Sequence, residues 1–182
     1  MSTKEFLAGQ FSLEASIIKS GERFSIIASS SRLLALDIDQ AISPTKLVEL
    51  LSSFDLVIID TPTGVSRITT YFMASADLIL LSSTTEILSL RGALNSKDIA
   101  ESAGYGGELQ LLITKTTQGL DDEFKELIGD DFALLEPTIR SSLQVSAAQS
   151  QAMSILTLDA KSEVAADYRE VTYSLLEKLE LI

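Results

Sequence analysis

The chain has 182 residues, of which 46% are hydrophobic, so it is long enough to form one domain with a full core. It contains neither cysteine nor histidine, which excludes disulfides, thiolate chemistry and zinc hydrolysis and leaves only oxygen ligands for any metal. Its 26 acidic against 14 basic side chains give a net charge of −12, which makes nucleic-acid binding doubtful.

Membrane and targeting signals are absent from the sequence pattern. Apolar runs such as Leu78–Leu81 are far shorter than the roughly 20 residues that cross a bilayer. The first residues lack a leader-like pattern, and the polar face of the C-terminal helix is acidic, which is unsuited to a membrane surface. We therefore expect a cytoplasmic protein without membrane contact, organised as a single domain over residues 1–182.

The first quarter of the chain is predicted to begin with two short helices. Ser2 with Glu5 forms a capping-box pattern for a helix that ends near Gly9, and Ser12 can cap the next helix. Phe24–Ala28 reads as a buried strand because it is apolar and partly β-branched.

Helices and apolar strands then alternate to the end of the chain. Ser43 and Pro44 are a helix start, with serine as the cap and proline at the first helical position. The predicted strands are Leu56–Ile59, Leu78–Leu81, Leu109–Ile113 and Phe132–Leu135, with helices between them and a C-terminal helix from Ser162. Strands that are apolar throughout and separated by helices predict a three-layer α/β fold with a mostly parallel sheet flanked by helices.

The residues that follow each strand are the candidate site, because ligands bind beyond the carboxyl ends of parallel strands. Asp60 follows the apolar run Leu56–Ile59 and is itself followed by Thr61, Pro62, Thr63 and Gly64. A carboxylate in this position can hold a magnesium-bound water, as in a Walker B corner with its switch loop. It can equally well cap the next turn or helix, and the residues alone leave both interpretations open.

A phosphate loop is missing from these residues. No glycine is followed by lysine, so the pattern G-x-x-x-x-G-K-[ST] does not occur. The glycine cluster at residues 104–107 follows a helix and precedes a strand, which is typical of a helix stop. The sequence therefore offers nothing that would cradle a triphosphate.

Several segments, in order and at sensible spacing, resemble the deviant-Walker ParA/MinD family of partition and positioning ATPases, and the tail is more similar to the ParA branch. The segments are Glu5–Ala15, Phe54–Pro62, Ala76–Leu81, Thr138–Gln149 and Ser154–Tyr168. The resemblance implies a P-loop NTPase-like fold of the SIMIBI type. It also implies an ATP- and Mg²⁺-dependent homodimer or oligomer that is stimulated by a ParB-like partner.

The resemblance also assigns roles to individual residues. Asp60 would orient the magnesium shell, and Thr61, Pro62, Thr63 and Gly64 would form the switch segment. Thr114 and Lys115 lie where an Asn-led segment commonly contacts adenine, so the missing asparagine weakens base recognition. Pro137 and Thr138 would lie in the other loop near the base.

The main departure from the family is at the front, where its first strand, phosphate loop, helix and second strand are not present. The first hypothesis is therefore a ParA-like ATPase module whose phosphate loop is missing from this chain. The alternative is a catalytically inactive dimerisation or localisation scaffold. An unrelated small-molecule enzyme ranks last, because no base–nucleophile arrangement is found. In the family, the strand that bears the phosphate loop lies inside the sheet. Without it, the strands on either side would have to pair with each other, recruit a strand from another chain or leave backbone groups unpaired.

Overall fold

The computed structural model describes residues 2–21, 24–62, 64, 66–117 and 119–182. It divides into two compact units. Unit 1 comprises Met1–Ala76 with Ile99–Tyr105, and unit 2 comprises Asp77–Asp98 with Gly106–Ile182. The single domain over residues 1–182 stays a prediction.

Unit 1 is built mainly from short helices. They are α1 (Thr3–Leu7), α2 (Leu13–Ser16), α3 (Pro44–Leu51) and α4 (Arg67–Met73), together with two 3₁₀ turns at Ser31–Ala35 and Ile38–Gln40. Strands β1 (Ile18–Lys19) and β2 (Ser25–Ile26) form a small antiparallel pair. The buried strand predicted at Phe24–Ala28 is therefore wrong in length and in burial, since Phe24 and Ile26 are exposed.

Serine caps set the helix starts of unit 1 as the sequence predicts. The Ser43 hydroxyl accepts from the Lys46 backbone N–H at 3.2 Å, with Pro44 at the first helical position. The Glu5 carboxylate accepts from the Ser2 backbone N–H at 2.9 Å, as a capping box requires. The apolar faces of these helices meet in one cluster: Phe6, Leu7, Leu13, Leu33, Leu47, Ile68, Tyr71 and Phe72.

The segment Leu56–Ile59 departs most from the prediction, because it has neither strand nor helix. Ile58 is 80% exposed, Leu56 and Val57 are also exposed, and only Ile59 packs against the unit 1 cluster. The expected buried strand is therefore wrong. Apolar, β-branched composition favours a strand, but a strand also requires a neighbouring backbone, and none pairs with this segment among the described residues.

Unit 2 contains the parallel sheet. Its strands are β3 (Ile79–Ser83), β4 (Leu109–Thr116) and β5 (Ala133–Arg140). The helices are α5 (Ile87–Ser102), whose last turn belongs to unit 1, α6 (Asp122–Ile128), α7 (Leu143–Ser150), α8 (Ile155–Leu158) and α9 (Glu163–Lys178). These strands match the runs Leu78–Leu81, Leu109–Ile113 and Phe132–Leu135, and the predicted α/β fold with a parallel sheet flanked by helices is confirmed.

The sheet has the order β3-β4-β5, and both pairings are parallel. β3 and β4 pair in unbroken register from Ile79 opposite Leu109 to Ser83 opposite Ile113. The central strand β4 is buried over its first five residues, which explains why its sequence is apolar without alternation. All three strands end at the same edge of the sheet, and the candidate site residues of unit 2 lie toward it.

Helices α7, α8 and α9 contribute to a second cluster with strands β4 and β5. Its buried members are Leu112, Leu135, Ile139, Ala148, Ile155, Val164, Ala165 and Val171. The helix predicted from Ser162 is confirmed, and its apolar face is the buried one, since Val164, Ala165 and Val171 are buried and Tyr168 and Leu175 pack beside them. Within the described ranges, every helix falls short of the length and hydropathy that a membrane crossing needs.

The exposure of Ile58 leads to a stability test. Ile58→Ala should lower the free energy of unfolding by less than about 0.5 kcal/mol, because an exposed side chain makes few contacts to lose. The matched control Ile113→Ala, at a fully buried position of β4, should cost about 3 kcal/mol. Urea denaturation of both variants measures the difference, and a cost above about 2 kcal/mol at Ile58 would show that the segment is buried after all.

Candidate functional site

Thr114 ties the carboxyl ends of two strands together in unit 2. Its hydroxyl donates to the Ser83 carbonyl at 3.3 Å, so the C-terminal ends of β3 and β4 are held in register. The Ser83 hydroxyl in turn donates to the Ser89 hydroxyl at 2.9 Å, and Ser89 accepts from the Thr84 backbone N–H at 3.0 Å. The hydroxyl proton of Thr114 is therefore used in a hydrogen bond within the protein, at the edge of the sheet where a ligand would lie.

Lys115 is the irregular residue of β4. Its φ is +58°, and the pairing with β5 shifts register on both sides of Thr114. Such a left-handed residue in a strand is a bulge, and bulges redirect side chains at sheet rims. The Lys115 side chain is exposed, so the edge of the sheet presents a positive charge to solvent there.

Pro137 and Thr138 lie inside strand β5 and not in a loop, so their predicted placement is wrong. Proline cannot donate to a ladder, but β5 is an edge strand of the sheet, where proline is tolerated. The Thr138 hydroxyl lies 3.3 Å from that of Thr116, the last residue of β4. Thr114 and Thr138 therefore sit on adjacent strands of the same sheet.

A cavity of about 650 Å³ opens beside Pro137 and Thr138. The remaining lining residues are Gly119, Leu120, Lys125, Glu136, Glu170, Tyr173, Ser174 and Glu177. Three carboxylates against one lysine repel a phosphate chain, whereas the tyrosine ring, the proline and the hydroxyls suit a planar uncharged group. Sequence reasoning missed Lys125 and Tyr173, because neither follows a strand.

The other predicted site residues belong to unit 1. Asp60, Thr61, Pro62 and Gly64 are exposed, and Gly64 adopts a φ of +92°, which favours glycine. Thr63 lies outside the described residues. The magnesium-side role of Asp60 and the switch role of Thr61, Pro62, Thr63 and Gly64 stay predictions.

The described residues do not form a complete binding site for a magnesium-bound triphosphate. Within the described ranges, no three acidic side chains gather closely enough to hold a metal ion. The sequence has no lysine-bearing glycine loop, and the cavity beside Pro137 is lined by three carboxylates and a single lysine. Any phosphate cradle would have to come from a segment other than these residues.

An ion-pair network joins the end of β5 to helix α9. Arg140 donates to Asp167 through its backbone N–H at 3.1 Å, Nε at 2.7 Å and Nη2 at 2.9 Å. Arg140 also pairs with the exposed Glu163. Arg140 is therefore a paired cation, and its buried partner Asp167 lies on the apolar face of the helix, where the sequence pattern gives no sign of an ion pair.

The pKa of Asp167 reflects two opposing effects. Burial acts to raise it, but the hydrogen bonds and the positive charge of Arg140 outweigh burial and hold the pKa of this carboxyl below its usual value. The carboxylate is therefore the stable form in the folded protein, and it fixes α9 against the sheet.

Comparison with known proteins supports the fold more strongly than any one function. No family model matches the chain. An uncharacterized ATP-binding protein from Methanocaldococcus jannaschii is 41% identical over 68 residues, which are 37% of this chain and 25% of that protein. The chain thus spans only a quarter of the length of this curated relative.

Solved structures match nearly the whole chain. The cell division ATPase MinD of Pyrococcus furiosus is 19% identical and superposes over 98% of this chain and 76% of its own, with a TM-score of 0.76. The chain has the MinD/ParA fold. A putative plasmid partition protein of Borrelia burgdorferi, bound to AMPPNP, shares this fold at 15% identity, over 97% of this chain and 74% of that one, with a TM-score of 0.75.

The MinD/ParA fold also occurs outside cell division and partition. Cobyrinic acid a,c-diamide synthase of Mycobacterium smegmatis, solved with ADP and magnesium, is 20% identical over 99% of this chain and 73% of that one, with a TM-score of 0.70. The predicted resemblance is confirmed at the level of fold.

Lys115 allows a test of the bulge itself. Lys115→Gly should raise the free energy of unfolding by up to about 1 kcal/mol, because glycine adopts a positive φ freely, and Lys115→Val should lower it by about 2 kcal/mol. Exposed Lys19 in β1 is the matched control. There the valine variant should be more stable than the glycine variant, because valine favours a strand. Chemical denaturation measures all four variants, and the same ranking of glycine and valine at both positions would contradict the bulge.

The Arg140 network predicts acid sensitivity. Because the folded pKa of Asp167 is lowered, its contribution is present above the unfolded pKa and is lost as the pH falls through the folded pKa. Asp167→Ala should cost about 2 kcal/mol at neutral pH and flatten the loss of stability below about pH 4. Glu163→Ala, which removes the exposed partner, should cost less than about 1 kcal/mol. Denaturation curves across the acid range that are equally steep in all three proteins would contradict this role.

Proposed function

We propose that this chain is a ParA-like ATPase module for plasmid or chromosome partition or for subcellular positioning, and that its phosphate loop lies outside these residues. The observation that carries the proposal is the match to MinD over 98% of the chain. The deviant-Walker resemblance at Phe54–Pro62 agrees with it. ATP and Mg²⁺ are the proposed cofactors.

In this proposal the chain supplies the base side and the magnesium corner of a nucleotide site. Thr114 and Lys115 stand at the carboxyl edge of β4, and Pro137 and Thr138 line the neighbouring cavity. These residues would hold the base and ribose, while Asp60 would orient the metal shell when the nucleotide is bound. The metal would supply charge neutralisation at the phosphates.

The alternative is a catalytically inactive dimerisation or localisation scaffold. The observation that favours it is the lack of a lysine-bearing phosphate loop in a chain that otherwise keeps the fold. Under either proposal the protein acts in the cytoplasm as a homodimer or oligomer. A ParB-like partner belongs to the ATPase proposal, and a charge of −12 makes direct nucleic-acid binding doubtful.

Reading the coding DNA upstream of the Met1 codon in frame separates the two proposals. The ATPase proposal expects a glycine- and lysine-bearing loop there, and the longer chain should hydrolyse ATP. Asp60→Asn should then lower kcat about 100-fold, because the carboxylate orients the metal shell. Asp55→Asn, at a carboxylate that is also exposed and lies five positions earlier, is the matched control and should change kcat less than about twofold.

The 182-residue chain also gives a direct binding test. We expect no binding of a fluorescent ATP analogue with Mg²⁺ tighter than about 1 mM, because nothing in these residues cradles the phosphates. Binding at micromolar affinity would reject the scaffold alternative. A longer chain that lacks the loop, or an Asp60→Asn variant with unchanged kcat, would reject the ATPase proposal.

A further inference from the structure

Lys115 is exposed near the end of a strand whose first five residues are all buried. A regular continuation of β4 would carry the next side chains into the same buried surroundings. At Lys115 the backbone instead adopts a φ of +58°, and the register with β5 shifts on both sides of Thr114. The bulge therefore keeps the ammonium group of Lys115 in solvent, toward the carboxyl edge of the sheet.

This backbone conformation is unfavourable for lysine and free of strain for glycine. The β-carbon crowds the neighbouring backbone in the left-handed region, and only glycine lacks that atom. A glycine at position 115 would form the same bulge without strain, but it would place no charge at the edge. Strained residues of this kind cluster at ligand sites, which makes Lys115 a candidate binding residue.

The charge of Lys115 is not neutralised within the part of the chain that the structure describes. The ion pairs found there all involve other cations. A second cation at this edge, Arg140 at the end of β5, is held by Asp167 and Glu163. In a chain with a net charge of −12, the ammonium group of Lys115 is thus available to an anionic ligand.

The central position of β4 in the sheet determines which part of a nucleotide Lys115 can meet. The cavity beside Pro137 lies along β5, on one side of β4, and β3 lies on the other side. Neighbouring strands are about 5 Å apart. A nucleotide whose base and ribose lie in this cavity therefore reaches the rest of the carboxyl edge only by passing the end of β4. The group that follows the ribose is a phosphate.

We propose that the ammonium group of Lys115 binds the phosphate next to the ribose of a bound nucleotide. The inference rests on the proposed function, which places the base and ribose in the cavity beside Pro137. Lysine suits this role, because it is a compact positive charge that pairs with phosphate oxygens without a fixed geometry. The hydroxyl of Thr114 cannot replace it as a donor, since its proton is used in the bond to the Ser83 carbonyl.

The plain alternative is that the bulge only keeps a charge out of the core. Burying an unpaired ammonium group is costly, so a strand with a lysine near its end gains by turning that side chain outward. Under this alternative, glycine at position 115 would improve stability and leave ligand binding unchanged. The two interpretations predict different binding by the same variant.

Lys115→Gly separates the two interpretations in the 182-residue chain. NMR titrations with AMP and with adenosine compare ligands that differ only in the phosphate. At low salt we expect AMP to bind about fivefold more tightly, with a Kd on the order of 5 mM. Lys115→Gly should abolish this preference although its fold is more stable, and Lys115→Arg should keep it. Added salt should weaken it, because salt screens exposed charges.

Lys161→Gly is the matched control, because Lys161 is also exposed and lies outside β4 and the cavity beside Pro137. It changes the net charge by the same amount and should leave the preference for AMP intact. An AMP titration that does not move the amide signals of Lys115 and Thr116 would overturn the proposal. A preference that survives in Lys115→Gly, or that is lost only in Lys161→Gly, would also overturn it.

A longer chain that hydrolyses ATP separates this inference from the proposed function. There Lys115→Gly should raise KM for ATP about tenfold and lower kcat less than about twofold, because a contact made equally in the bound and transition states is lost. Hydrolysis with an unchanged KM would overturn the role of Lys115 and leave the ATPase proposal standing. A lysine-dependent preference for AMP in the 182-residue chain, without hydrolysis by the longer one, would support the role of Lys115 and reject the ATPase proposal.

Discussion

The requirement that every strand find a backbone partner governs this molecule. Strand β4 meets it on both sides, with β3 and β5, and is buried over most of its length. Leu56–Ile59 has comparable apolar character but no partner among the described residues, and it is neither a strand nor buried. An unpaired buried amide or carbonyl costs about 1–3 kcal/mol, so an apolar run without a neighbour gains little from entering a sheet. Hydrophobicity selects the candidate strands, and hydrogen bonding decides which of them form.

A second constraint holds the C-terminal half together. The β5–α9 contact combines the apolar cluster around Leu135 and Val171 with the Arg140–Asp167 pair. Burying a carboxylate is unfavourable unless it is well paired, and here three donor groups of one arginine satisfy it. Because the backbone N–H of Arg140 is one of the donors, the pair fixes the end of the strand as well as a side chain. The helix is thereby oriented relative to the edge of the sheet where the candidate site lies.

The sequence predicts local features well where the deciding contacts are near in the chain. The Ser43–Pro44 helix start, the stripe of α9 and the three strands of unit 2 all follow from spacing, capping and apolar runs. Leu56–Ile59 could not be predicted, because its state depends on which other strands are present. The extension of β5 through Pro137 was missed for a related reason: proline is excluded from central strands, and only the sheet order reveals that β5 is an edge. The left-handed Lys115 leaves no signal in residue type, since glycine or asparagine is the usual choice there.

The fold restricts the function of this chain less than the residues of the candidate site do. Proteins with this fold include a cell division ATPase and a cobyrinic acid a,c-diamide synthase, so the scaffold alone does not select a reaction. The range of possible functions is narrowed by which chemical groups the chain supplies at the candidate site and which it does not. The edge of β4 and β5 offers hydroxyls, a proline and a tyrosine-lined cavity of about 650 Å³, which suit a base and a ribose. Among the described residues, a single lysine lines this cavity, and phosphates bind only where positive charge or converging amide groups meet them. Under the ATPase proposal, these residues would contribute recognition of the base and ribose, and the phosphate loop would come from another segment.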